Sequence, residues 1–249
     1  MTAAIEVRDL RFHYGEGTPA LRGVSFSIAE GECVGLIGPN GAGKSTLLLH
    51  LNGLLPETLR GGSPVSVGGM ALSPDTLPEI RRRVGLLFQD PNDQLFCPTV
   101  FEDVAFGPQQ LGLGAGQVEA RVKAALATAG ISGFEDRAPH HLSAGEKRRV
   151  CLAGVLACEP SILVLDEPTS SLDPRGRREL KELLRTIPIT KLVATHDLDL
   201  VVELCSRVIV LDAGAIVAEG PTVDVLSDEA LMLRHSLERP HALRHLHPH

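Results

Sequence analysis

The run Gly38-Pro39-Asn40-Gly41-Ala42-Gly43-Lys44-Ser45-Thr46 gathers glycines, a lysine and two hydroxyls into one short turn. That composition suits a phosphate. Glycines let successive backbone N–H groups turn toward oxygens with no Cβ in the way, and the lysine adds a point charge. A second set of polar groups follows far downstream, where the apolar run Ile162 to Leu165 ends in Asp166-Glu167. Beside a phosphate cradle, Asp166 is predicted to hold Mg²⁺, directly or through water, and Glu167 to orient and deprotonate an attacking water. On its own a strand ending in two carboxylates is often only solvated loop chemistry. The third set is Leu142-Ser143-Ala144-Gly145-Glu146. Ser143 and Glu146 have the S-x-x-E spacing of a capping box, which predicts a capped helix start. The same helix start invites an anion, and the two readings are compatible.

These groups need elements to hold them. Cys33 to Ile37 is a short apolar run, and Ser45 to Leu51 has a helical pattern, so the glycine-rich turn joins a buried strand to a helix N-terminus. In that setting Lys44 is predicted to reach β- and γ-phosphates, and the Ser45 hydroxyl to ligate Mg²⁺. Ile5 to Tyr14, Ser25 to Ile28, Val84 to Phe88 and Lys191 to Thr195 read as further strands, with a helix over Arg175 to Leu184. Arg207 to Asp212 and Ala215 to Glu219 read as a hairpin. Between about Pro98 and Leu142 the pattern turns helical, with helices over Val100 to Phe106 and Gln117 to Ala129 separated by the Gly/Pro-rich stretch Gly107 to Gly116. A helix from Glu146 to Ala157 returns the chain to the strand core.

The chain has 249 residues, 43% hydrophobic and 22% charged, with a formal charge of -7. That balance gives no support to nucleic-acid binding, and no nucleic-acid partner is expected. No leader pattern and no apolar run long enough to span a bilayer is evident. Five cysteines without a C-x-x-C pair suit a reducing compartment better than a disulfide framework. His235, His241, His245, His247 and His249 crowd the end of the chain. Such a density of imidazoles can bind Ni²⁺ or Co²⁺, but no carboxylate or cysteine accompanies them to fix a site, so a solvated tail is the plainer reading.

Taken in order, the glycine-rich turn, LSAGE, LVLDEP, Ser171-Leu172-Asp173 and Ala194-Thr195-His196-Asp197 resemble the motif set of ABC-transporter ATPases over essentially Ile5 to Glu219. The resemblance implies an α/β P-loop NTPase core, a mixed or parallel sheet with an antiparallel β subdomain, plus a helical signature subdomain. It implies a domain over 1–240, the helical subdomain at about 98–158 within it, and a His-rich tail at 241–249. ATP is the implied nucleotide and Mg²⁺ its metal. Residue by residue, Tyr14 looks like the aromatic that stacks on adenine. Gln89 looks like the glutamine that senses Mg²⁺ and water and faces a membrane partner. Ser143 and Gly145 look like the residues that clamp the γ-phosphate bound by an opposite subunit, with Ala144 and Glu146 in the same loop. Asp173 looks like the aspartate crossing a dimer interface, and His196 like the histidine touching the γ-phosphate. The sequence departs from the common LSGGQ at Ala144 and Glu146. A Glu146 folded back onto the helix start would have its charge partly neutralised there.

Phe88 to Phe96, Thr99-Val100, Asp103 to Pro108, His140-His141-Leu142 and Ala153 to Ala157 resemble the ATPases of energy-coupling-factor importers. Within that group LSAGEK, THDLDLV and the ending Leu237-Glu-Arg-Pro-His look similar to the dedicated cobalt and nickel importers. The resemblance implies a homodimer, peripheral on the cytoplasmic face of the cell membrane, beneath an integral coupling protein and a metal-binding membrane component, with cobalt preferred to nickel.

Overall fold

The computed structural model describes residues 3–15, 17–58, 62–238, 240 and 243. Apart from Leu243, the expected tail at 241–249 lies outside them.

Two sheets carry the chain. The first is antiparallel, in the order β2-β1-β4-β5, from β1 (Ala3–His13), β2 (Pro19–Ala29), β4 (Val65–Val67) and β5 (Met70–Ala71). Its central strands alternate: Val24, Phe26 and Ile28 of β2 turn inward, and the residues between them do not. Period-two alternation is what a sheet with one wet face requires. The second sheet has the order β10-β9-β3-β8-β7-β6. It comprises β3 (Cys33–Ile37), β6 (Val84–Leu87), β7 (Ile162–Asp166), β8 (Thr190–Ala194), β9 (Arg207–Asp212) and β10 (Ala215–Pro221). Its strands pair in parallel except for the β9–β10 hairpin. All five residues of β7 are buried, as expected of a strand covered on both faces.

Helix α1 (Lys44–Leu51) leaves β3, α2 (Leu77–Arg83) leads into β6, and α6 (Pro174–Thr186) connects β7 to β8. Helix α7 (Leu198–Leu204) precedes β9, and α8 (Thr222–Ser227) and α9 (Glu229–Arg234) follow the hairpin. The insertion holds α3 (Val100–Gln110), α4 (Ala115–Thr128) and α5 (Ala144–Leu156). These helices share a core of their own, in which Val104, Val122, Leu126 and Val150 meet.

One expectation is corrected here. Gly107-Pro108 does not end the first inserted helix, which runs on to Gln110 with Pro108 inside it. The proline sits in the last turns, where it removes only the bond to the Val104 carbonyl, and its ring is buried. The reach of His235 into the tail is corrected as well. His235 donates from Nδ1 to Asp212 Oδ2 at 2.7 Å and is largely buried, so it belongs to the folded domain.

Candidate functional site

The glycine-rich turn lies between the C-terminal end of β3 and the start of α1. Two of its glycines are required by carbonyls that approach from elsewhere in the fold. A Cβ on Gly38 would sit 1.9 Å from the Leu211 carbonyl oxygen of β9, and one on Gly43 would sit 2.5 Å from the Ala20 carbonyl oxygen. Gly43 is also the N-cap of α1 and makes no side-chain cap, so no side chain of the cap occupies the first N–H groups of that helix. Lys44 is buried, and its ammonium donates to the Gly38 and Pro39 carbonyls at 2.7 and 3.1 Å. Burial pushes its pKa down, while Glu167 and Asp166 pull it back up.

A cavity of about 740 Å³ opens over this turn. Tyr14, Gly38 to Thr46, Gln89, Asp166, Glu167 and His196 all line it. The fold therefore brings together residues from the ends of five strands, β1, β3, β6, β7 and β8. Tyr14 is half-exposed, held by an edge contact with Phe12 at 4.9 Å and a 3.3 Å hydrogen bond between its hydroxyl and Thr46 Oγ1. Sequence reasoning missed three lining residues: Ala20 of β2, and Ser236 and Leu237, which follow α9. The approach of the last two depends on the His235–Asp212 bond and on Leu237 packing into the core.

The two carboxylates differ in environment. Asp166 ends β7 and is 9% exposed. Burial raises its pKa above the usual aspartate value, against the lowering effect of a hydrogen bond from Ser45 and with Glu167 adding to the rise. Ser45, Asp166 and Gln89 present oxygen donors to the same cavity, a set suited to a hard dication such as Mg²⁺. Glu167 is buried in the left-handed region at φ 44, its N–H tied to the Ala194 carbonyl at 2.8 Å. A non-glycine residue there is strained and persists only where its surroundings fix it. Three donors do so at Oε2: Thr195 Oγ1 at 3.1 Å, His196 N at 3.3 Å and His196 Nδ1 at 2.8 Å. Oε1 is not engaged by them. His196 thus reaches the cavity as the partner of Glu167.

The buried Asp166 carries a testable consequence. Its folded pKa is raised, so the folded chain holds that proton to higher pH than the unfolded chain. Stability falls as pH rises through this window, and above it the cost of ionising Asp166 is fully present. Asp166→Asn keeps an oxygen for Ser45 and removes the charge. The ligand-free variant should melt above wild type at neutral pH, and the difference should shrink as pH falls. Thermal melts across pH check this, and an unchanged or lowered Tm at neutral pH would refute the burial argument.

Ser143, Ala144, Gly145, Glu146 and Asp173 do not line that cavity. They line a second one of about 410 Å³, together with Ser171 and Arg175. Here the capping box is complete. Glu146 Oε2 accepts from Ser143 N at 2.8 Å and Ser143 Oγ at 2.7 Å, while Glu146 N donates back to Ser143 Oγ at 3.3 Å. Those Ser143 bonds hold the Glu146 carboxyl below its usual pKa. Asp173 caps α6, accepting from Gly176 N at 2.7 Å.

Gln89 borders both the first cavity and a neighbouring one shared with Leu142, Lys147 and Ser170. Its backbone is held by Arg148 of α5, 1% exposed. Its guanidinium donates to the Phe88 carbonyl at 2.6 Å and to that of Gln89. Sequence reasoning also missed this residue. A basic side chain two positions past Glu146 on a helix reads as solvent-facing, and only the strand end beneath it reveals the burial.

The family model described as ABC transporter matches residues 21–170. The energy-coupling factor transporter ATP-binding protein EcfA of Methanothermobacter thermautotrophicus is 50% identical over 95% of this chain and 76% of that protein. Among solved structures, cbiO1 from Clostridium perfringens, part of the ABC transporter complex cbiONQ, is similar with a TM-score of 0.81 and 35% identity over 94% of each chain. The ATP-binding cassette MJ0796, dimeric in a post-hydrolysis state bound to ADP and Pi, is similar with a TM-score of 0.75 and 28% identity over 88% of this chain and 98% of that one.

Proposed function

The chain belongs to the ABC transporter family as an ATPase of the energy-coupling-factor type, and from that premise we propose that it works as a homodimer powering import of a divalent transition-metal ion, cobalt ahead of nickel. The observation that carries the dimer is the separation of its two half-sites. Lys44, Asp166, Glu167 and His196 line one cavity, and the Ser143 helix start lines another. A nucleotide held by the first set meets a Ser143 loop only if a second copy supplies it. Among the similar structures, the MJ0796 cassette is dimeric in a post-hydrolysis state with ADP and Pi bound.

In this reading Tyr14 stacks on adenine, and the N–H groups of Gly41 to Thr46 and the Lys44 ammonium hold the phosphates. Ser45, Asp166 and Gln89 would hold Mg²⁺, which neutralises phosphate charge when bound. Glu167 accepts the proton of the attacking water at Oε1, while Thr195 and His196 keep Oε2 fixed. The partner's Ser143 loop closes over the γ-phosphate, and its release after hydrolysis reopens the dimer. Among the described residues no group of three or more metal-ligating side chains converges, and no helix is long and apolar enough to cross a membrane.

Membrane partners at the cytoplasmic face would meet the segment after Gln89. Phe96 is 65% exposed and makes an edge contact with the exposed Phe106 at 5.0 Å, while Leu95 is packed inward. Gln94 is anchored, its amide donating to the Cys151 carbonyl at 2.8 Å, so its loss would disturb packing. Phe96→Ala alone is therefore the clean probe. Loss of an anchored aromatic of about 2 kcal/mol should weaken pull-down of the membrane complex about thirtyfold. Nucleotide affinity of the isolated subunit should stay at the wild-type value. Unchanged assembly and uptake would remove Phe96 from the docking surface.

The whole reading is tested by purifying the chain from membranes, identifying the integral proteins that accompany it and measuring uptake of Co²⁺ and Ni²⁺. Metal uptake that stops when ATP hydrolysis stops supports it. Uptake of an organic vitamin with no metal transport would overturn the cargo, and ribosomes or DNA in place of membrane proteins would overturn the importer.

A further inference from the structure

Cys33 and Cys205 stand 172 positions apart in sequence, yet their sulfurs are 3.6 Å apart. Cys33 opens β3, the strand that runs into the glycine-rich turn, and Cys205 closes α7, the helix that follows His196. Ser206 N donates to the Cys33 carbonyl at 3.1 Å and Val34 pairs with Arg207 in the parallel β3–β9 ladder, so Cys205 lies one position before the residue set beside Cys33. A disulfide needs its sulfurs about 2.05 Å apart, so the two thiols, at 3.6 Å, must close by roughly 1.5 Å. Both thiols are free, and the nucleotide chemistry uses neither.

We propose that Cys33 and Cys205 form a dithiol site that exchanges with small-molecule disulfides of the glutathione type and closes to an intramolecular disulfide. Three features set the order of events. Cys33 is half-buried and reachable, whereas Cys205 is buried at 5% exposure. The Cys205 thiol hydrogen-bonds to Cys33, and with the nearby Lys191 ammonium it holds Cys33 below the ordinary thiol pKa. The other cysteines are pushed the opposite way, Cys97 to about 11 and Cys151 to about 12, chiefly by burial. The thiolate is the attacking species, so Cys33 is the nucleophile.

In the first step the Cys33 thiolate attacks one sulfur of the small disulfide, forming a mixed disulfide and expelling one thiolate. In the second the Cys205 thiolate attacks the Cys33 sulfur, closing the protein disulfide and expelling the second thiolate. The two protons lost by the cysteines end on the two released thiols. One dithiol is oxidised to a disulfide, and one small disulfide is reduced to two thiols. Because Cys33 sits at the start of β3 and the glycine-rich turn follows its other end, a closure of this size leaves the turn its shape, and ATP affinity survives oxidation. Because the bond closes a long loop, the oxidised chain melts at higher temperature.

The test uses the full chain incubated with glutathione disulfide, followed by alkylation of remaining thiols and peptide mapping. The expected product is one intramolecular Cys33–Cys205 linkage, reversed by dithiothreitol, with a raised Tm and unchanged ATP binding. Cys205→Ser should stop at a glutathione adduct on Cys33, and Cys33→Ser should slow all modification at this site by about tenfold or more. Glutathione on Cys97 or Cys158 while Cys33 and Cys205 remain alkylatable would overturn the proposal. So would a wild-type chain that halts at the mixed disulfide or links to a second chain. The wild-type map decides the matter even if a variant folds poorly.

Discussion

Glu167→Gln is expected to bind ATP as wild type does, to hydrolyse it about 10²–10⁴-fold more slowly, and to accumulate as a dimer in ATP and Mg²⁺. The expectation follows from what the substitution leaves in place. A glutamine amide oxygen can still accept from Thr195 Oγ1 and His196, the contacts that Glu167 Oε2 now makes at 3.1 and 2.8 Å. The residue's backbone bond to Ala194 at 2.8 Å is unaffected. The strained turn and the cavity wall therefore survive. An amide cannot accept the proton of an attacking water, so the step that releases the closed state is lost. Sizing with labelled nucleotide separates the outcomes: a variant that holds ATP but stays monomeric at high protein concentration would sink the shared-site arrangement. Turnover within a few-fold of wild type would instead remove Glu167 from the chemistry.

Most residues of the nucleotide site are legible in the amino-acid sequence because the physics that places them is local. Gly38 to Thr46 announces itself because its glycines, lysine and hydroxyls fall within one short run, and the Ser143–Glu146 capping box because its partners are three residues apart. Strand β7 is an apolar run up to Asp166, so burial on both faces is written directly in it, whereas the buried Thr190 and Lys191 of β8 are not signalled that way. What sequence hides is contact made across the fold. Arg148 looks like a surface residue of α5 until the carbonyls of Phe88 and Gln89 are placed against it. Ser236 and Leu237 enter the cavity only because α8 and α9 turn back and His235 finds Asp212, 23 positions away. Cys33 and Cys205 meet because β3 and β9 are neighbours, a fact of strand order. Pro108 shows the converse error, a strong local signal overruled by the packing of the helix around it.

Lys44→Met should abolish nucleotide binding while leaving the nucleotide-free fold as stable as wild type or more so. The two halves of this expectation have one cause. Burial depresses the Lys44 pKa, so the charged ammonium is disfavoured in the folded chain even with Glu167 and Asp166 nearby. A cation whose folded pKa lies below its unfolded value costs stability wherever the unfolded chain carries the charge, and the cost fades as pH rises past both values. Its present bonds to the Gly38 and Pro39 carbonyls, at 2.7 and 3.1 Å, are those of a donor held over the turn. Methionine fills nearly the same volume and brings no charge to desolvate. With nucleotide the balance reverses, because a phosphate exchanges those neutral acceptors for charged oxygens. At a ligand concentration of about 100 Kd, binding stabilises wild type by about 2.7 kcal/mol, a rise of roughly 5–10 °C in Tm for a chain of this size. In Lys44→Met that rise should vanish, and ATPase activity with it. The measurement is a pair of melting curves for each protein, with and without ATP and Mg²⁺. A variant that keeps the nucleotide-induced shift shows that the phosphates are held without Lys44. One that melts well below wild type in the absence of nucleotide shows that the lysine supports the turn itself.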